Sequence, residues 1–158
     1  MSNTQSMCTS FMGELLTATH NFGTAPTRGT SAADTFKGAL YLTTATLNAS
    51  TTAYSATGEV SGTNYTAGGV TVTNATAPTA TNSSPTAGVA YWTPSASLVY
   101  TNVTLSTAFY TVLIYNSTQS NKAVSVHTFG SQTVTAGTFT LTMPSNSTTT
   151  ALLRLSTT

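Results

Sequence analysis

The chain is 158 residues long, which suits one domain of ordinary size with a buried core. Charged residues occupy only 4% of the positions, four basic and three acidic, where about 25% is typical. A net charge of +1 argues against nucleic-acid binding, and no apolar stretch approaches the roughly 20 residues of a membrane span.

The N-terminal segment, residues 1–33, is predicted to form an arm, a short helix and a loop. Its first residues are polar, lack the basic and apolar regions of a signal peptide, and are predicted to be a flexible arm. A helix of about two turns is predicted from apolar side chains that share one helical face: Phe11, Leu15 and Leu16. A polar loop at 23–33 then leads to the main domain.

Residues 34–158 are predicted to form a single β-domain. Its segments are rich in β-branched and aromatic residues and are separated by turn-forming residues. The predicted strands cover 35–42, 70–73, 88–92, 98–105, 109–115, 123–129, 132–135, 138–143 and 151–155. Two irregular regions, 43–69 and 75–87, lie between them.

The frequent short strands, without a long helix, indicate a protein built from antiparallel sheets. We predict an all-β fold, a jelly-roll-like β-sandwich of about eight strands with a short N-terminal helix or arm. An up-and-down arrangement of the strands after residue 88 is an open alternative.

The strands at 109–115 and 123–129 flank a polar loop and predict a long β-hairpin. The first of them lacks alternation, which indicates burial on both faces, either by a second sheet or by a neighbouring subunit. Large side chains here and in nearby strands are candidates for the core or a subunit interface: Trp92, Tyr100, Phe109, Val112, Ile114, Tyr115 and Phe129.

Residues that carry chemistry are few and scattered along the chain. It has two histidines, one cysteine and three carboxylates, with no metal-ligand cluster and no nucleophile elbow. We therefore predict that the protein is not an enzyme and uses no cofactor or metal. Tyr91, Trp92 and Tyr100 offer an alternative role as a sugar-stacking platform, although packing in the core is the simpler interpretation.

The polar residues are mainly uncharged, since threonine and serine fill over a third of the positions. A free soluble domain usually keeps more charge on its surface. Threonine favours strands and still hydrogen-bonds water. The composition therefore suits a protein that functions packed in an assembly.

Four stretches together resemble a known protein family. They read CTSFMGELLTATHNF at 8–22, DTFKGALY at 34–41, EVSGTNYTAGGV at 59–70 and LIYNSTQSNKAVSVHTFGSQTVTAGTFTLTMP at 113–144. In this order and spacing they are similar to a family of small virion structural proteins of tailed bacteriophages. Members of that family resemble capsid decoration (cement) proteins. The loop at 23–33 looks like an insertion relative to that family.

The resemblance implies a non-enzymatic protein that binds the outer surface of the major capsid protein shell and stabilises it. It also implies a homo-oligomer, most often a trimer, located on the virion after synthesis in the host bacterial cytoplasm. Neither nucleic acid nor a membrane is an expected partner. The N-terminal segment supplies the candidate capsid contacts: Met7, Phe11, Met12 and Leu15. For Phe11 and Leu15, the alternative is that they cover the end of the sandwich.

Two other functions remain open. One is a structural part of the tail, neck or fibre, which has the same need for rigid β-structure but occurs in few copies. The other is a carbohydrate-binding module for a host surface, which depends on Trp92 and the tyrosines near it.

Overall fold

The computed structural model describes residues 3–16, 18–22, 33–74, 77–81 and 88–156. These residues form one helix and eight strands, numbered in chain order: β1 (Ser6–Met7), α1 (Thr9–Leu16), β2 (Phe36–Leu42), β3 (Val70–Thr71), β4 (Thr79–Ala80), β5 (Val89–Trp92), β6 (Leu98–Asn116), β7 (Lys122–Leu141) and β8 (Leu153–Ser156). The predicted loop at 23–33 lies outside the described residues except for Ala33, as do residues 75–76 and 82–87 of the second irregular region.

The strands form two antiparallel sheets. The larger sheet has the order β1-β7-β6-β2-β3, and the smaller one has the order β4-β5-β8. The sheets meet where Trp92 of β5 packs on Phe36 of β2, with their ring centroids 6.1 Å apart. The predicted all-β, antiparallel class with a short N-terminal helix is confirmed. An open sandwich describes this arrangement, whereas the jelly-roll connectivity is not confirmed.

One long hairpin, made of the 19 residues of β6 and the 20 of β7, dominates the larger sheet. The sequence pattern predicted five shorter strands here because residues 106–108, Gly130 and 136–137 interrupt it. This division is wrong. The residues in question lie where the register between β6 and β7 shifts, and Ala136 has a positive φ of 45°. Bulges absorb such residues without ending a strand.

The C-terminal half of β6 lies between β2 and β7 in the sheet, and its residues are buried on both faces. Ile114 lies opposite Gly38 of β2 and Ser125 of β7, and its side chain is fully buried. Every residue from 111 to 116 is buried. Apolar and polar residues do not alternate in this segment because other parts of the same chain bury it, without a neighbouring subunit.

The N-terminal residues are docked on the sheet, so the prediction of a flexible arm is wrong for residues 3–9. The Asn3 side chain is buried, donates a hydrogen bond to Thr111 Oγ1 at 2.7 Å and accepts one from Leu47 N at 2.7 Å. Ser6 then pairs with Val126, which adds β1 to the edge of β7. A buried amide needs such partners, and these hydrogen bonds fix the segment.

The irregular region at 43–69 packs across the larger sheet, where the ring of Tyr54 stacks on that of Tyr115 at 4.8 Å, and the Glu59 carboxylate ties the region together. That group accepts hydrogen bonds from Tyr54 Oη at 2.6 Å, from Tyr65 Oη at 2.8 Å and from Gly68 N at 2.8 Å. Burial, together with the nearby carboxylate, raises the pKa of both phenols well above the ordinary value of 10. The phenols therefore stay protonated and keep donating.

The end of this region depends on a glycine. Gly69 has a φ of +74°, and a Cβ there would lie 1.7 Å from the carbonyl oxygen of Gly38. Only glycine fits such a close approach of two backbones. It allows β3 to begin directly beside β2.

Candidate contact surfaces

The predicted core or interface residues lie inside this chain. Tyr100 and Trp92 are 2% and 3% exposed, and Phe129 is half-buried against the core. The remaining members of the set are at most 2% exposed: Phe109, Val112, Ile114 and Tyr115. Phe129 is therefore the member that a neighbouring subunit could still cover.

The aromatic residues proposed as a sugar platform do not form one. The indole of Trp92 donates from Nε1 to Asn74 Oδ1 at 3.0 Å, and its ring packs edge-on to Phe22 at 4.7 Å. Tyr100 is buried and donates its hydroxyl to Gly38 O at 2.8 Å. Stacking on a sugar needs an exposed ring face, which neither residue presents.

Three of the four candidate capsid contacts line one apolar cleft beside α1. Its volume is about 90 Å³, and it lies between the N-terminal segment and the smaller sheet. The residues that line it are Met7, Phe11, Leu15, Phe22, Pro78, Ala90, Tyr91, Trp92, Leu153 and Leu155. Phe22 and Pro78 lie outside the helix and strands, and the other residues come from β1, α1, β5 and β8, so only the folded chain assembles the cleft.

The four candidates differ in what they present to a partner. Phe11 is 2% exposed and packs edge-on to His20 and Phe22, so it covers the end of the fold, as the alternative interpretation states. Leu15 and Met7 are half-buried at the cleft. Met12, next along α1, is 49% exposed. A partner would therefore reach Met12 and the rim of the cleft, whereas Phe11 supports them from within.

A cluster of polar residues ties α1 to the tip of the hairpin. Glu14 accepts hydrogen bonds from His20 Nε2 and from Lys122 Nζ, both at 2.7 Å. The Asn116 side-chain nitrogen contacts His20 Nδ1 at 3.1 Å and donates to Asp34 Oδ2 at 2.7 Å. Sequence reasoning did not find this cluster, because it joins Glu14 and Asp34 to Lys122 and Asn116, which lie 108 and 82 positions later in the chain.

The contacts of His20 require its neutral form. The orientation of the Asn116 amide is fixed, since its oxygen accepts from Thr118 N and Gln119 N at 3.1 and 3.2 Å. Its nitrogen is therefore a donor toward His20 Nδ1, which must accept, so the proton is on Nε2. Burial lowers the pKa of His20, although the charge of Glu14 opposes this effect.

The pKa values of Glu14 and of the nearby Cys8 are also shifted by their surroundings. Burial alone would raise the pKa of Glu14, but the hydrogen bonds from Lys122 and His20 and the charge of Lys122 hold it below its ordinary value. Burial, with a contribution from the Glu14 carboxylate, raises the pKa of the Cys8 thiol to about 11. The buried thiol is therefore not an activated nucleophile.

Among the described residues, no group of three His, Cys, Asp or Glu side chains could hold a metal ion.

A second candidate surface, which sequence reasoning missed, runs along the free edge of β7. Beyond Val126, where β1 ends, none of the described residues pairs with the side of β7 that faces away from β6. Large apolar side chains along this stretch are only half-buried: Phe129, Val134, Phe139 and Leu141. We call this set the β7 stripe.

The aromatic members of the β7 stripe pack together at its inner side. The ring of Phe139 lies 5.4 Å from that of Phe129 and 5.1 Å from that of Phe109, measured between centroids. The sequence did carry one signal for this surface, since no charged residue occurs between Lys122 and Arg154. Edge strands of free monomers usually carry lysine, proline or other blocking residues.

No known protein family matches the chain, and no curated protein or solved structure shows significant similarity to it. In the described part of the chain, no helix has both the length and the apolar character needed to cross a bilayer.

Proposed function

We propose that this chain is a non-enzymatic capsid decoration (cement) protein of a tailed bacteriophage. In this role it binds the outer surface of the major capsid protein shell as a homo-oligomer, with a trimer implied by the resemblance, and stabilises the shell. The observation that carries the proposal is the apolar cleft beside α1, together with the exposed side chain of Met12 on that helix. Three of the four candidate contacts of the N-terminal segment line the cleft.

The chemistry of the cleft fits a protein partner. It is lined almost wholly by apolar atoms, and Leu155 at its rim is 42% exposed. Burying one aliphatic side chain of a partner in such a cleft would contribute roughly 1.5–3 kcal/mol. Repeated over many copies on a lattice, contacts of this size would stabilise a shell.

The three carboxylates of the chain make hydrogen bonds within it. Glu14 is paired with Lys122 and His20, and Asp34 is buried against Asn116. Glu59 is held by tyrosines. Their positions leave a surface rich in uncharged hydroxyl groups, which suits close packing against neighbours in an assembly. A tail, neck or fibre component would share this property, and copy number in the particle separates it from a decoration protein.

Binding to shells assembled from the major capsid protein alone tests the proposal. The purified chain is expected to co-sediment with such shells and to saturate them. Met12→Asp and Leu155→Asp are expected to weaken binding at least about tenfold, because each places a carboxylate at an apolar contact. Val99→Asp is the matched control, since Val99 is 45% exposed on β6, away from the cleft, and this variant should bind normally.

Two results would count against the proposal. If the unaltered chain fails to bind shells, the decoration function is wrong. If it binds but Met12→Asp and Leu155→Asp bind equally well, then the chain decorates the shell through another surface and the role of the cleft is wrong.

A further inference from the structure

We infer that the apolar cleft beside α1 and a polar cleft next to it together bind an extended peptide segment, in which an acidic residue lies between two apolar ones. The inference rests on the proposed function for the role of the apolar cleft, and it names the chemistry of the partner there. The polar cleft, called here the Arg154 cleft, has a volume of about 490 Å³. The two clefts are adjacent, because Met7 and Leu153 line both of them.

Arg154 gives this cleft a positive charge for which the chain supplies no carboxylate. Its side chain is exposed and, among the described residues, makes one long hydrogen bond, from Nη1 to Thr148 O at 3.4 Å. The three side-chain carboxylates of the chain are bonded elsewhere: Glu14 to His20 and Lys122, Asp34 to Asn116, and Glu59 to Tyr54 and Tyr65. A guanidinium has five N–H donors and binds carboxylates through two parallel hydrogen bonds, so the unmet charge favours an acidic ligand.

The strand that carries Arg154 has a free edge. β8 is the outer strand of the smaller sheet and pairs with β5, where Arg154 lies opposite Tyr91. In the described part of the chain, no strand pairs with the other side of β8. Such an edge can accept an extended peptide as an additional strand, because its unpaired backbone groups supply main-chain hydrogen bonds. We therefore assign an extended segment, and not a helix, to this site.

The alternation of side chains along β8 sets the order of residues in the bound segment. Leu153 and Leu155 line the apolar cleft, whereas Arg154, between them, lines the polar cleft alone. Successive side chains of a strand point to opposite faces, and a strand added to β8 alternates in register with it. The segment would therefore place apolar side chains beside Leu153 and Leu155, and an aspartate or glutamate beside Arg154.

The partner that supplies this carboxylate is a different molecule from this chain. The carboxylates of a second copy are held by hydrogen bonds within that copy, as described above for Glu14, Asp34 and Glu59. None of them has the required neighbours either, because glycine precedes Glu14 and Glu59 and threonine follows Asp34.

The test is a peptide titration of the full chain, followed by the nuclear magnetic resonance signals of its backbone amides. The probes are two end-capped peptides, Thr-Val-Glu-Val-Thr and Thr-Val-Gln-Val-Thr, which differ in one charge. The glutamate peptide is expected to shift the amide signals of β8 and to bind at least about threefold more tightly than the glutamine peptide at low salt. Sodium chloride at about 0.5 M should remove most of this preference, because it screens the ion pair.

Variants of the chain show whether Arg154 causes the preference. Arg154→Gln should bind the two peptides equally, and Arg154→Lys should retain part of the preference because it keeps the charge without the paired donors. Lys37→Gln is the matched control. It removes the same charge from β2, where Lys37 lines a different cavity, and it should leave the preference unchanged. The amide signals outside β8 check that each variant is folded.

The inference is wrong if neither peptide shifts the signals of β8, if both bind equally well, or if Lys37→Gln loses the preference as fully as Arg154→Gln does. Sodium glucuronate serves as a further probe. If it shifts the signal of Arg154 and the glutamate peptide does not, the cleft takes a sugar acid and the inference is again wrong. No shell enters this experiment, so its failure removes the peptide site only, whereas a chain that ignores shells removes the decoration function only.

Discussion

Replacing Ile114 by aspartate is expected to leave the chain unfolded or insoluble. The Ile114 side chain is fully buried in β6, between Gly38 of β2 and Ser125 of β7. Gly38 and Ser125 carry no charge that could pair with a new carboxylate, and burying an unpaired charge costs several kcal/mol. That is a large part of the roughly 5–15 kcal/mol by which a domain of this kind is stable.

Ile114→Val is the matched control, since it removes one methylene group and should cost only about 0.5–1.5 kcal/mol. Soluble yield, circular dichroism and urea unfolding compare the two variants with the unaltered chain. If Ile114→Asp is folded with a urea midpoint near that of Ile114→Val, the centre of the hairpin is not the core of the fold.

Acidification is expected to destabilise the fold as the pH falls below about 6.5. Burial lowers the pKa of His127 to about 4 from its ordinary value of 6.5, and His20 is also shifted downward by burial. Both imidazoles are therefore neutral in the fold, whereas the unfolded chain binds protons as the pH falls below 6.5. Stability is complete above that pH and is lost progressively as the pH falls toward 4.

The measurement is the urea midpoint at about pH 7.5 and about pH 5, where the half-buried His127 alone should reduce the free energy of unfolding by about 1–2 kcal/mol. His127→Gln should remove that part of the difference, because glutamine does not titrate. Glu14 has a pKa below its ordinary 4.5, so its contribution is lost only in more acidic solution. Equal or greater stability at the lower pH would contradict the neutral state of the two histidines.

Local sequence patterns predicted the hairpin but not its full length. Its central part was visible because residues 109–115 are uniformly large and Lys122 marks where β7 begins. Its full length was hidden, since Gly130 and 136–137 look like turns and act as bulges. Whether such residues end a strand depends on the partner strand, and no local window contains that information.

The candidate site was predictable only in part, for a related reason. Spacing along α1 identified apolar residues at the N-terminus, but Phe11 turned inward and Met12 outward. The other walls of the cleft come from β5 and β8, more than 70 residues later in the chain. The cluster of Glu14, His20 and Asn116 likewise depends on contacts that only the folded topology creates.

The most direct test of the decoration function is the molar ratio of this chain to the major capsid protein in purified particles, measured by quantitative mass spectrometry. We expect a ratio within a small factor of unity, because a decoration protein coats the lattice that it stabilises. A ratio of a few per cent would contradict this function and would place the chain in the tail, neck or fibre. Absence from the particles would contradict every structural role in the virion.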